Sequence, residues 1–286
     1  MSPPPGLAER IAVATEIARG AGAIVQQHYG KLSGYEEKAK NDLVSVADKE
    51  SEAFIAAALA RAFPQDLTAM EEADGVAGAR AKRAQIEAAP FTWCIDPLDG
   101  TTSFVHSYPV FGVSIGLLAH GRPVGGVVYA PARDETYVGG EGLGARFWAS
   151  TAGAPRALSV SKVPSLDRAL IGTGFSRGSS EGNEETLAIV REVLSTAHDI
   201  RRAGAAALDL CDVAAGRIDG FFQRGLAPWD LAAGQAIVEA AGGRLSTYAL
   251  EPHGPYAPSV VATNSLIHDA LGAAIGRARA TLKGQS

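Results

Sequence analysis

Between Val110 and Val138 the chain offers three apolar runs in quick succession, VFGVSIGLLA, VGGVVYA and ETYVGG, separated only by the turn-like HGRP and PARD. Short runs bounded by Pro, Gly and Asp read as strands joined by tight turns, so this stretch predicts an antiparallel meander. On either side the period changes. Ile11, Ala14, Ala18, Ala21 and Val25 share one face of a helix over about residues 7–28, which Gly30 stops. A second helix follows Ser45, where SVAD reads as a capping box. Ile55, Leu59 and Phe63 lie on one face of it before Pro64 ends it. Beyond about residue 150, strand and helix alternate. ALIGTGF is a strand, NEETLAIVREVLSTA a helix, and AALDLCDVAAGRI a helix aligning Leu208, Cys211, Ala215 and Ile218. A DGFFQ strand, a helix after Pro228, the strand SVVAT and a last helix from about Ser265 follow. The expectation is an α/β chain in two parts: residues 1–150 an α+β half with helices and an antiparallel sheet, residues 151–286 an α/β half.

With 286 residues, 47% of them hydrophobic, the chain can bury one large core or two smaller ones. Its 26 basic residues against 31 acidic ones leave a net charge of −5, which argues against a general nucleic-acid binder. Cys94 and Cys211 make no disulfide framework and fit a reducing compartment. No apolar stretch reaches the roughly 18 residues of a membrane span, and MSPPPGLAER has no signal-peptide pattern. A soluble, cytoplasmic protein is expected.

The chemistry concentrates in WCIDPLDGTTSF, Trp93 to Phe104. FTWCI reads as a buried strand, and Asp96 falls where that strand leaves the core, a common place for functional groups. Hard cations such as Mg²⁺ prefer oxygen ligands, and Asp96 and Asp99 supply them with charge. In a helix the two acids would repel across one turn. Pro97 disfavours that conformation at Asp96 and lets the chain curl around an ion. Gly100 has no side chain, so backbone N–H groups can approach an oxyanion, and a helix beginning at Thr101 or Thr102 would turn its free N–H groups toward a phosphate. The Thr101 hydroxyl could orient a water made nucleophilic by the metal. The alternative is an Asp-rich turn with a helix cap, but all seven residues of DPLDGTT together favour a site.

Such a site needs more acid, and three segments offer it. TAMEEAD carries Glu71 and Glu72, APWDLAAG carries Asp230 near a helix start, and NDLVSVADKE carries Asp48. Each has a plainer reading as well: solvated glutamates, a carboxylate on a helix dipole, and the closing member of the capping box. Periodicity does not bring them together in space.

Taken with the upstream EE pair, the segments WCIDPLDGTTSFVHSYPVFGVSIGL and RRAGAAALDLCDVAAGRIDGFF…APWDLAAGQAIVEAAGG resemble the inositol monophosphatase family, its bacterial members most, from about residue 8 to about residue 275. The resemblance implies a layered α/β/α/β/α sandwich of the sugar-phosphatase type, a homodimer, lithium sensitivity, and Mg²⁺-dependent hydrolysis of a phosphomonoester such as inositol 1-phosphate. By the same resemblance, Glu71, Asp96 and the Leu98 carbonyl hold one ion, and Asp96, Asp99 and Asp230 hold a second. Glu71 helps to place a third, so two or three Mg²⁺ ions are implied. Thr101, assisted by Asp48, deprotonates the attacking water, with Glu71 nearby. Gly100 and Thr101 meet the phosphate, and Glu72 supports. The first half thus carries most of the metal ligands, and the second supplies Asp230 and the ring contacts Gly204, Ala205, Ala206 and Gln223. Arg201 faces either the ring or a partner subunit.

Three positions depart from the family pattern: Ala205 lacks a hydroxyl, Gln223 stands where glutamate is usual, and Ser103 where asparagine is usual. An amide still accepts a hydrogen bond, but it carries no charge and also donates. These changes weaken the case for strict inositol phosphate preference. Related activities on fructose 1,6-bisphosphate, histidinol phosphate or a 3′-phosphonucleotide therefore stay open. So does a regulatory binding protein acting on the transcription machinery. His28 and His106 read as structural, Cys94 and Cys211 as inert core thiols, and GEGLGARF as a turn. Lys38 and Lys40 read as solvated, or as part of a loop near the metals.

Overall fold

The computed structural model describes residues 3–31, 34–39, 42–176 and 180–284. Near the start, β1 (Glu36–Ala39) and β2 (Asp42–Val44) form a small antiparallel pair. The large sheet has seven strands in chain order: β3 (Leu67–Met70), β4 (Thr92–Asp99), β5 (Gly112–Ala119), β6 (Arg122–Ala130), β7 (Glu135–Gly140), β8 (Gly144–Trp148) and β9 (Arg156–Ala157). Only the β3–β4 pair is parallel, and β5, β6 and β7 are the antiparallel meander expected from the sequence. A second sheet holds β10 (Leu170–Thr173), β11 (Asp199–Arg201), β12 (Gly220–Arg224), β13 (Arg244–Ser246) and β14 (Ser259–Thr263) in the order β11-β10-β12-β14-β13.

Helices make the other layers. α1 (Leu7–His28) and α2 (Val46–Ala62) cover one face of the large sheet, burying Leu7, Ile11, Ile55 and Leu59 against Trp93, Ile95 and Phe111. Two short helices, α3 (Glu71–Ala81) and α4 (Arg83–Ala88), link β3 to β4, and α5 (Thr101–Val105) follows β4 directly. Between the sheets lie α7 (Ala206–Ala214) and α8 (Pro228–Ala240), inside the core that joins Val128 and Tyr137 to Phe221 and Val260. α6 (Ser180–Leu194) and α9 (His268–Lys283) close the far side of the second sheet around Ile171, Ile189, Phe222 and Leu271. The order of layers is α/β/α/β/α, as the family resemblance implied.

A row of glycines sets the depth of the central layer. Gly116, Gly126 and Gly139 pair across β5, β6 and β7. A Cβ on them would come within 2.6 Å of Ala232 Cβ, 2.4 Å of Ala233 Cα and 2.7 Å of Ile237 Cα. Glycine facing alanine lets α8 lie directly on the sheet, since interiors leave no room for an added methyl. The Ser114 hydroxyl, opposite Asp96 in register, donates to the Trp229 carbonyl at 3.3 Å. This close seating fixes where the first turn of α8, with Asp230, meets β4.

Two expected helix boundaries move. The α7 helix ends at Ala214 and leaves Ile218 outside it. Gly216 takes φ +66°, and the Arg217 N–H turns back to the Asp212 carbonyl at 2.9 Å. A left-handed glycine closes a helix more cheaply than another turn extends it. The last helix begins at His268 rather than near Ser265, because Ser265 itself has φ +71°. Among the described residues no helix is long and apolar enough to cross a membrane.

Candidate active site

The strand carrying the acids does not stop at Ile95, as its apolar run suggested; β4 continues, fully buried, through Asp99. The ladder to β5 is regular as far as Asp96–Ser114 and resumes at Asp99–Gly112, with a bulge between them. A bulge strips residues of ladder partners and re-aims side chains. Here every backbone group of the bulge finds a substitute. Pro97 has no N–H, and its carbonyl accepts from the Ser51 hydroxyl at 2.9 Å. The Leu98 N–H donates to Asp96 Oδ1 at 3.0 Å, and the Leu98 carbonyl accepts from the Thr101 hydroxyl at 3.0 Å. Gly100 then turns the chain with φ +87°, and a Cβ there would sit 2.7 Å from the Val110 carbonyl oxygen. α5 has only five residues, so any anion affinity at its start comes from the aim of individual N–H groups rather than from a large helix dipole.

Around this corner the acids converge. Asp96, Asp99 and Asp230 each present a carboxylate oxygen within 4.8 Å of the others, and the three could hold a metal ion. Glu71, first residue of α3, lies close enough to Asp96 for the two carboxyls to share a proton. Burial pushes the Asp96 carboxyl well above its ordinary range, and the charges of Glu71, Asp99 and Asp230 push it further. Two more of these acids, like Asp96, are steered by backbone donors. Asp99 Oδ2 accepts from the Ala207 N–H at the head of α7 at 2.7 Å, and Asp230 Oδ2 accepts from the Ala227 N–H at 2.7 Å. A crowded set of oxygen donors that repel one another suits a small hard cation, whose charge offsets that repulsion.

Asp48 comes from the head of α2 and is 1% exposed. The capping box expected from SVAD is present: Asp48 Oδ2 accepts from the Ser45 N–H at 2.8 Å and from its hydroxyl at 2.6 Å. The other oxygen, Oδ1, lies 3.1 Å from the Thr101 hydroxyl and shares its single proton with the Leu98 carbonyl. Burial raises the Asp48 carboxyl, and the Ser45 hydrogen bonds work against that rise. One carboxylate therefore closes a helix cap and also binds the threonine beside the acid corner.

The segment Gly204–Ala206 adjoins this corner. Ala205 Cβ lies 3.1 Å from where a Gly100 Cβ would be, and Gly204, with φ +99°, lies against the Arg202 guanidinium with the Ser103 hydroxyl beyond it. Gln223, half-buried at the end of β12, rests its amide against Gly174. The Arg201 guanidinium is exposed and folds back on Asp199 and the Ile200 carbonyl. The Glu72 N–H donates to Glu52 Oε2 at 2.7 Å. His28 meets Glu50 at 2.8 Å and His106 meets the Thr102 carbonyl at 2.9 Å. Cys94 is sealed in the core, and burial pushes its thiol up to about 12. GEGLGARF spans the β7–β8 turn. Lys40 lies outside the described residues. Ser51, Glu52 and Ala207 also serve this corner. No local pattern marks them, since each acts on a residue at least 20 positions away.

A layered sandwich with carboxylates gathered beside a threonine and a glycine turn defines a class: hydrolases that open phosphate esters at an acid-lined corner. The profile of the inositol monophosphatase family matches residues 7–280, and the chain belongs to that family. It is 40% identical over 273 residues to an inositol-1-monophosphatase from Synechocystis sp., covering 95% of this chain and 90% of that protein. It is 39% identical over 253 residues to a putative Nus factor SuhB from Neisseria meningitidis, covering 88% and 92%. The structure superposes on the inositol monophosphatase of Anabaena (Nostoc) sp. with a TM-score of 0.78 at 36% identity, covering 95% of this chain and 97% of that one. The chain is a phosphoric monoester hydrolase acting on a small-molecule phosphate ester.

Proposed function

We propose that this chain hydrolyses inositol 1-phosphate, or a closely similar polyol or sugar phosphate, with Mg²⁺ as its cofactor. The observation that carries the reading is the meeting of Asp96, Asp99 and Asp230 within 4.8 Å, with Glu71 beside Asp96, from segments about 160 residues apart. Glu71, Asp96, Asp99, Asp230 and the Leu98 carbonyl would hold two or three Mg²⁺ ions. Bound there, Mg²⁺ neutralises phosphate charge and brings the pKa of a coordinated water toward neutrality. Thr101 would hold that water through its hydroxyl, and Asp48 would take the proton passed through Thr101. The Gly100 and Thr101 N–H groups would meet the phosphate, and Gly204–Ala206 and Gln223 would meet the alcohol. Glu72 supports Glu71 from the same helical turn. A homodimer, lithium sensitivity and a cytoplasmic location belong to the same reading.

The test is phosphate release from inositol 1-phosphate by the purified chain. Release is expected with Mg²⁺ and not with a chelator. A panel of sugar, polyol and nucleotide phosphates ranked by kcat/KM then separates inositol 1-phosphate from fructose 1,6-bisphosphate, histidinol phosphate and 3′-phosphonucleotides. No Mg²⁺-dependent release from any of them overturns the reading. A relative named as a putative Nus factor favours a second role, binding to the transcription machinery. Recovery of RNA polymerase or ribosomal components in a pull-down, unchanged by Asp96→Asn, would support it.

A further inference from the structure

Three side chains on one face of α2 each hold a different segment of the acid corner. Asp48, Ser51 and Glu52 stand at spacings of three and four, so they project side by side from one helical face. Asp48 reaches Thr101, Ser51 reaches the Pro97 carbonyl, and Glu52 reaches the first turn of α3. We propose that Ser51 and Glu52 are positioning residues. From α2 they fix the Asp96–Asp99 bulge and the start of α3, so that Asp96, the Leu98 carbonyl and Glu71 converge on a divalent ion. The inference rests on the metal-dependent reading above.

Ser51 is wholly buried, and its hydroxyl donates to the Pro97 carbonyl at 2.9 Å. Inside the bulge that carbonyl has no strand to answer it, and an unanswered buried carbonyl would turn until it found a donor. Holding it also fixes the next peptide, whose carbonyl, that of Leu98, already receives the Thr101 hydroxyl. Ser51 therefore locks the orientation of successive peptides between two of the acids.

Glu52 plays the same part for Glu71. The N-cap residue of α3 is Met70, which has no side-chain acceptor for the free N–H groups of the first turn. Glu52 supplies one from another helix: its carboxylate takes the Glu72 N–H at 2.7 Å and also the Ala73 N–H. With both held, the backbone carrying Glu71 cannot swing away from Asp96. The placement is electrostatically costly. Glu52 is 7% exposed, and burial together with the charges of Glu72 and Asp74 raises its carboxyl. A glutamine would cap with nearly the same shape and without the repulsion. A carboxylate is what strengthens an acid corner for a cation, because added negative charge draws a divalent ion.

The experiment compares the full chain with Ser51→Ala and Glu52→Gln. Mn²⁺, a hard divalent ion with the same taste for oxygen ligands, is titrated and its free concentration read by electron paramagnetic resonance. Melting of the metal-free proteins and kcat and KM for inositol 1-phosphate in Mg²⁺ are measured alongside. Ser51→Ala is expected to lose about tenfold in Mn²⁺ affinity or in kcat, the usual effect of removing a group that orients a metal ligand, and Glu52→Gln, which keeps the cap, to lose Mn²⁺ affinity through its missing charge. KM should move by less than about twofold, and metal-free Glu52→Gln should melt no lower than the parent. Mn²⁺ binding and kcat at the parent's values in both variants overturn the inference. So does a loss that only follows a lower melting temperature. If the parent chain binds Mn²⁺ but releases no phosphate, the activity reading fails while the titration still decides the positioning.

Discussion

At Asp96, a buried carboxyl is surrounded by Glu71, Asp99 and Asp230, and burial and all three charges push it up. At Glu135, three strands away in the same sheet, a carboxylate takes both arms of Arg217, at 2.9 and 2.6 Å, and the Tyr137 hydroxyl at 2.6 Å. Arg217 also reaches Asp212 at 3.1 Å, and its guanidinium lies 5.2 Å from the Phe147 ring centre and 5.7 Å from that of Tyr137. Burial opposes the charge on Glu135, but the arginine prevails and its carboxyl sits below the usual range. The Asp96 corner is the more deeply enclosed, with Asp96 2% exposed against 14% for the Glu135 side chain, but burial works against the charge in both. What separates them is the source of the compensating charge, which at Glu135 is part of the fold and at Asp96 would have to be supplied from outside. The contrast teaches how to tell an acid cluster that holds a protein together from one that waits for a cation.

Activity should separate the two clusters most. Asp96→Asn is expected to cut kcat by at least roughly a hundredfold, while the metal-free fold melts no lower than the parent, because one of several repelling charges is gone. Steady-state kinetics and circular dichroism melting check the two halves together. The reverse result is expected at the other cluster. Arg217→Ala should lower stability by about 1–2 kcal/mol, a value discounted for its partial exposure, with kcat unchanged. Urea unfolding of the two variants side by side would show whether the roles divide in this way.

The two clusters should also give opposite pH slopes. Asp96 binds its proton more tightly in the folded, metal-free chain than in the unfolded one. Its contribution to stability is therefore full below the unfolded value of about 3.9 and is lost as pH rises through the higher folded value. Glu135 contributes above its unfolded value of about 4.3, and that contribution is lost as pH falls through the lower folded one. Urea midpoints across the pH range, with chelator present, should show Asp96→Asn flattening the fall toward high pH and Glu135→Gln flattening the fall toward low pH. Saturating Mg²⁺ should abolish the high-pH fall in the parent chain. The smallest expected effect lies on the alcohol side of the site. Gln223→Glu should change the kcat/KM ratio between inositol 1-phosphate and a less hydroxylated ester by about fivefold, one hydrogen bond's worth. A ratio unchanged by the substitution would remove Gln223 from substrate recognition.

Much of the fold could be read locally. The capping box at Ser45–Asp48, the meander from Val110 and the glycine at position 100 each declare themselves within a few residues, because caps, turns and strand alternation are short-range effects. The small elements were harder to see. Neither the β1–β2 pair nor α3 was expected, since strands of four and three residues and a helix kinked at Gly75 have too little periodicity to show. The end of α7 was overrun because AALDLCDVAAGRI keeps its apolar period past Gly216, whose left-handed turn periodicity does not register.

Sequence alone singles out the candidate residues: Asp96, Asp99, Gly100 and Thr101 sit in one motif, and Pro97 disfavours a helix at Asp96. It did not determine their meeting with Glu71, Asp230 and Asp48, nor the reach of Ser51 and Glu52 to the bulge and to α3. Those distances depend on how closely α8 sits on the glycine row of the large sheet and on which face of α2 turns inward. Both are outcomes of packing among segments far apart in the chain, where the fit of whole surfaces decides and no local preference does.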